Sequence, residues 1–250
     1  MSQYFNLARF GRLLRKYFAE HLTSYGLSAS VLLGGLLAVL GFLSYVQGGL
    51  SASQQGILFT LGLLGAGTFF TSTVLAEYGQ GSRAAMALTL PASQLEKYLV
   101  AWLVSVPGLL VVFTAAFYLA DWLVLALGNH ADMLANLFTN TDWLLSTLAY
   151  FLLLHAVALW GSIAFRRQQF VRTGFALFAA AVVLSVANYQ ALRLLLGTKL
   201  MALPLGTVHL HGGPSLSLPD SQERWLAWLP LALALLLWPA AYARLTEKEL

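Results

Sequence analysis

Tyr98-Leu99-Val100-Ala101-Trp102-Leu103-Val104-Ser105-Val106-Pro107-Gly108-Leu109-Leu110-Val111-Val112-Phe113-Thr114-Ala115-Ala116-Phe117-Tyr118-Leu119-Ala120 runs for 23 residues without one charged side chain. As a helix rising 1.5 Å per residue it reaches about 35 Å, enough to cross about 30 Å of hydrocarbon. Trp102 lies near one end of the stretch, and Tyr118 and Trp122 lie at the other, where amphipathic rings favour the headgroup layer. This is the pattern of a membrane-crossing helix.

Five more stretches of the same kind flank it, at roughly 27–46, 57–76, 143–164, 173–195 and 225–243. The whole chain of 250 residues is 59% hydrophobic and only 10% charged, against about 25% charged in an ordinary soluble domain. A mean hydropathy of +0.73 excludes a water-soluble enzyme of this length, and it excludes disorder, which needs low hydrophobicity and high charge. The chain therefore reads as all-α, a polytopic membrane protein with six transmembrane helices forming one domain over 1–250. Cysteine is absent, so disulfides and thiolate metal sites are excluded.

Ahead of the first span, Tyr4, Phe5, Leu7, Phe10, Leu13, Leu14, Tyr17, Phe18 and Leu22 follow helical spacing, with Arg9, Arg12, Arg15 and Lys16 outside the stripe. The pattern predicts an N-terminal interfacial amphipathic helix over 4–22, lying flat in the headgroup layer. A signal peptide has a similar outline, but the apolar run that follows is longer than the 7 to 15 residues or so of a signal core. No cleavage is expected.

Orientation follows from the basic residues. All but Arg193, Lys199 and Arg224 of the 14 Lys and Arg fall in the N-terminal segment, the second and fourth connections and the C-terminal tail. The positive-inside rule then places both termini in the cytoplasm. Read this way, the formal charge of +4 reflects topology, and no nucleic-acid partner is expected. The outward connection at about 121–142 carries Asp121, Asp132 and Asp142. The one at about 196–224 is punctuated by Pro204, Gly206, Gly212, Gly213, Pro214 and Pro219, as turns between small re-entrant or surface elements would be.

No familiar active site is written in the chain. Gly197-Thr198-Lys199 lacks the first glycine of a phosphate-binding loop, and there is neither a His-Glu-x-x-His nor a Gly-x-Ser-x-Gly motif. His209 and His211 alternate as on a surface strand and are too few to hold a metal. His155 falls near the middle of the fourth span. It is a candidate for lining a pathway, set against a neutral histidine hydrogen-bonded between packed helices, and the sequence offers no intramembrane carboxylate to pair with it. Ser185 and Asn188 share a face of the fifth span and are candidates for the same pathway, or for cross-helix packing. Gly34 with Ala38, and Gly62 with Ala66, have the spacing that lets helices approach closely.

The connection between the second and third spans is the most specific segment. Gly79 and Gly81 end one helix, Ser82 caps a short helix with Met86 and Leu88 as its apolar part, and Leu90-Pro91 stops it. Ser93-Gln94-Leu95-Glu96 is then a capping box: the Ser93 side chain accepts from the Glu96 amide while the Glu96 side chain accepts from the Ser93 amide. Pro107-Gly108 predicts a kink midway along the third span.

Asn6-Leu7-Ala8-Arg9-Phe10-Gly11-Arg12-Leu13-Leu14 and, above all, Leu88-Thr89-Leu90-Pro91-Ala92-Ser93-Gln94-Leu95-Glu96-Lys97-Tyr98-Leu99 resemble the permease subunits of ABC-2-type transporters. The likeness is to six-span members found in Bacteroidetes-like bacteria. The layout of the whole chain takes part in the resemblance, while the local motif covers about 77–99.

That resemblance implies a permease of the bacterial inner membrane, usually an exporter, with no cofactor of its own. A cytoplasmic ABC ATPase subunit would bind the ATP and Mg. A second permease subunit, identical or not, would share the bilayer with this one. Ser82, Arg83, Ala84, Ala85, Met86, Leu88 and Leu90 would then form the ATPase-coupling element, braced by Ser93 and Glu96, and 196–224 the outer gate region. Two other readings are an intramembrane lipid-modifying enzyme using His155 or the outer histidines, and a membrane scaffold without flux.

Overall fold

A computed structural model describes residues 6–74, 93–165, 168–196, 208–209, 215–216 and 220–247. The protein is an all-α polytopic membrane protein. Its described residues form six helices long and apolar enough to cross a bilayer. They are α1 (Leu7–Gln47), α2 (Ala52–Val74), α3 (Gln94–Leu127), α4 (Thr141–Ala164), α5 (Gln169–Leu196) and α6 (Asp220–Thr246). Between α5 and α6, β1 (Val208–His209) and β2 (Ser215–Leu216) pair antiparallel, a small element of the kind the turn-rich sequence predicts. Large apolar side chains face outward, among them Val31, Phe42, Phe175 and Leu184. In water that surface would be a liability; in a bilayer it is the solvated face.

Each predicted span lies inside one of these helices, apart from 75–76 outside the described residues, and three details differ. First, the amphipathic segment and the first span are one helix of 41 residues. Nothing between Leu22 and Leu27 stops helical propagation, so the axis continues through Gly26. Arg9 meets Glu96 near the start of α3, and Gly41 meets Val124 near its end. The intervening 32 residues of α1 and 28 of α3 span about 48 and 42 Å, so the two helices run side by side in the same direction. The amphipathic stretch therefore stands along α3 as part of the first span's own axis. On its inward face Tyr17 stacks on His21 at 4.5 Å, and Tyr25 meets Phe70 of α2 at 5.4 Å.

Second, Asp121 is not in a loop. α3 continues to Leu127 and ends at Gly128 and Asn129, the latter left-handed at φ 59°. The turn that follows is tied down by Gln55, a buried side chain at the start of α2. Its amide nitrogen donates to the carbonyls of Leu50 and Met133, and its oxygen accepts from the Ala135 amide. Tyr118 Oη likewise accepts from the Leu137 amide at 3.0 Å.

Third, Pro107 is absorbed by a π-helical turn over Val104–Gly108. Proline has no N–H to donate, and the Leu109 amide reaches back five residues to the Val104 carbonyl. This turn falls where α3 packs against α2 and α4.

Two apolar clusters hold the bundle. One joins Leu40 of α1, Phe59 and Leu63 of α2, Phe113 and Phe117 of α3 and Phe151 of α4. Phe59 meets Phe113 and Phe117 edge to face at 5.4 and 5.2 Å, the geometry aromatic quadrupoles prefer. Glycines of α2 make room for these rings: a Cβ on Gly67 would stand 2.6 Å from Phe151, and one on Gly62 would stand 3.0 Å from Phe113. Gly62 thus admits a ring, whereas Gly34 faces open space. The other cluster joins Val74, Tyr98, Leu159, Ile163, Ala241 and Leu245 at the end where α1 begins and α6 ends. That end, the basic end, carries Arg9, Arg12, Arg15, Lys16, Lys97, Arg172 and Arg244.

Candidate functional site

At the basic end the first turns of α1 and α3 are locked together. Asn6 caps α1, its side-chain oxygen accepting from the amides of Ala8 and Arg9. Ser93 caps α3 through the capping box that the sequence predicts, with the Glu96 amide donating to Ser93 Oγ at 3.2 Å and the Ser93 amide donating to Glu96 Oε2 at 3.0 Å. The same carboxylate also receives Arg9, whose Nε lies 2.7 Å from Oε2 and Nη2 2.8 Å from Oε1, and the Asn6 amide at 2.9 Å. Every described partner of Glu96 is a donor, so the group is an ionised, fully occupied acceptor.

Glu96 is wholly buried, while Arg9 keeps a quarter of its side-chain surface. A carboxylate in such a place depends on its partners, because removing one leaves a buried charge uncompensated. The arrangement fixes the relative height of α1 and α3 at this end. Ser93 and Glu96 are thus brought together, and joined by Asn6, which the sequence reading holds only within the segment that carries the resemblance, and by Arg9, which it counts there and toward the charge bias. Ser82, Arg83, Ala84, Ala85, Met86, Leu88 and Leu90 lie outside the described residues. Val74 and Ser93, which flank their segment, both lie at the basic end.

His155 is completely buried in α4 and has both ring nitrogens engaged. Trp238 Nε1 of α6 donates to Nδ1 at 3.1 Å, so Nδ1 carries no proton. Nε2 then holds the hydrogen and donates to Ser105 Oγ at 2.8 Å, and Ser105 in turn donates to the Ala101 carbonyl at 2.6 Å. Ser105 sits in the π-helical turn of α3. The relay therefore ties α3, α4 and α6 together where α3 is irregular. It is the neutral, satisfied histidine of the packing alternative, with no ring nitrogen left over for a substrate.

Ser185 is half-buried and Asn188 exposed on α5, and neither contributes to the hydrogen bonds of His155. The structure does not assemble His155, Ser185 and Asn188 into one site. α5 instead meets α4 where Gly161 leaves no space for even a methyl group beside Thr173. His209 stands in β1 and His211 lies outside the described residues. Among the described residues no group of three His, Asp or Glu side chains could hold a metal ion.

One ionisable group that the sequence reading assigns to a loop is buried in a helix. Asp121 is 1% exposed within α3, and among the described residues neither carboxyl oxygen has a hydrogen-bond partner. A buried carboxylate therefore exists in α3, 34 positions before His155 in the sequence and at the opposite end of α3 from Glu96. Periodicity offered a signal: Phe117, Asp121 and Leu125 fall one turn apart on a single stripe.

Comparison with protein-family models, with curated proteins and with solved structures finds no match to this chain.

Proposed function

We propose that this chain is the membrane-spanning permease subunit of an ATP-binding-cassette transporter of the ABC-2 type, working as an exporter with a separate cytoplasmic ATPase. In this reading the basic end faces the bacterial cytoplasm, both termini lie there, and a second permease subunit completes the pathway. ATP and Mg belong to the ATPase. The observation that carries the proposal is the Glu96 lock. The segment from Ser82 to Leu90 feeds into a helix start that a capping box and Arg9 hold rigidly to α1. A push on that segment is then delivered to two parallel spans together. An ATPase shifts such an equilibrium only by contacting the segment differently in its own two states, and a firm attachment to the spans is what lets that difference act at a distance.

The test is purification of the tagged full-length chain from its native host in mild detergent, with mass spectrometry of bound proteins and an assay of ATP hydrolysis. A stoichiometric ATPase whose rate depends on this chain supports the reading. Arg83→Glu, or replacement of Ala84-Ala85 by two glycines, is then expected to lower the stimulated rate while the spans stay folded. Repeated recovery of folded protein without an ATPase overturns it.

A further inference from the structure

Asp121 has surroundings that specify a ligand. Its two oxygens are buried and, among the described residues, unpartnered. Phe117 and Leu125, one turn to either side, belong to the apolar cluster that also contains Leu40 of α1. Val124, three residues along α3, touches the Gly41 position of α1.

The elements packed against this part of α3 offer no counter-ion. From 26 to 47, α1 has a single ionisable side chain, Tyr45, which is 89% exposed, and α2 has none over Ala52–Val74. The π-helical turn has none either. The outer turn supplies His130, whose Nδ1 is engaged with the Gly128 carbonyl, and a second acid, Asp132. A metal cation would need several more oxygens than one carboxyl offers. Of the species that relieve an unpaired buried carboxylate, only the proton needs no further ligand.

We propose that Asp121 is a proton-binding site in the helix bundle, held there as the neutral acid. The step is a simple one: a hydrated proton binds a carboxylate oxygen, and its release returns the same proton to water. This inference does not rest on the permease reading.

Infrared spectroscopy of the full-length protein at neutral pH, in a detergent without ester groups, tests it. The expected result is the carbonyl stretch of a protonated carboxylic acid above the amide I region. It should move when the aspartate carboxyl carbon is isotopically labelled, and it should be missing from Asp121→Asn. If that variant does not fold, the acid band should persist in labelled Asp132→Asn, Asp142→Asn and Asp220→Asn, the only other aspartates, and its loss in one of these would overturn the proposal. Asp121→Asn, which resembles the neutral acid, is also expected to keep the wild-type thermal midpoint. A spectrum with aspartate bands of the ionised form only overturns the proposal, as it would if Asp121 pairs with a cation of the outer segment or of a second copy.

Discussion

Arg9 and Glu96 are 87 residues apart in sequence, yet each lies in the first turn of a long helix and the two close on one another with Nε 2.7 Å from Oε2. The carboxylate thereby performs two tasks. It completes the capping box of α3, and it fixes where α1 begins relative to α3.

That double role predicts that Glu96→Gln and Arg9→Gln are not independent. Each single change should lower the thermal midpoint by several degrees, and the double variant should be no worse than Glu96→Gln alone, because both remove one interaction. Thermal unfolding of the four proteins in one detergent measures this. Strictly additive losses would show that the pair is not coupled. Exchange of the charges, Arg9→Glu with Glu96→Arg, should rescue only in part, since a cation in the first turn of α3 opposes the helix dipole and cannot cap.

Ser93→Ala removes the acceptor for the Glu96 amide and should cost about 1 kcal/mol, the usual magnitude for an N-cap. Ser93→Asp, which caps equally well in isolation, should not restore the wild-type value, because its charge would face the Glu96 carboxylate. The unfolding midpoints of the three proteins decide the matter, and equal stability of Ser93→Asp and wild type would sink this reading.

At the α4–α5 crossing, Gly161→Ala places a methyl group in the space of Thr173. Overpacking of this kind costs about 1–3 kcal/mol. Adding Thr173→Ala should recover part of the loss by removing the hydroxyl and methyl groups that clash, which double-mutant stability measurements test directly. Gly174, next along the chain, faces open space, so Gly174→Ala should be neutral or slightly stabilising.

His155→Ala leaves the Trp238 N–H without its buried acceptor and removes the donor to Ser105 Oγ, whose own hydrogen bond to the Ala101 carbonyl remains. The orphaned indole N–H costs about 1–3 kcal/mol. The expected signature is lowered stability with a changed Trp238 environment in fluorescence, and His155→Gln should recover part of it by supplying both a donor and an acceptor. A His155→Gln protein of full stability that has lost all transport would give His155 a direct functional role and contradict the structural one.

Much of this architecture was legible along the chain. Apolar runs such as 98–120 determine helices and spans by themselves, because in hydrocarbon the backbone must bond within its own segment. Ser93 and Glu96 are likewise local, three residues apart in a helix start, and Pro107 marks its irregular turn through the N–H it lacks. The positions of Lys and Arg predicted which helix ends share a side.

What the sequence could not determine depends on which helices become neighbours. Arg9 is one of several basic residues near the N-terminus, and only the upright packing of α1 along α3 selects it for Glu96. Whether the amphipathic stretch lies flat or continues the first span turns on that same contact, since helical periodicity is identical in both cases. His155 acquired its role from Ser105 and Trp238 on two other helices. Asp121 became a buried, unpaired acid because α3 continues as a helix beyond it and its stripe neighbours Phe117 and Leu125 pack into the apolar cluster. Hydrogen bonds and apolar runs within a helix are written in the sequence; the partners of long side chains are settled by the three-dimensional approach of segments far apart in the chain.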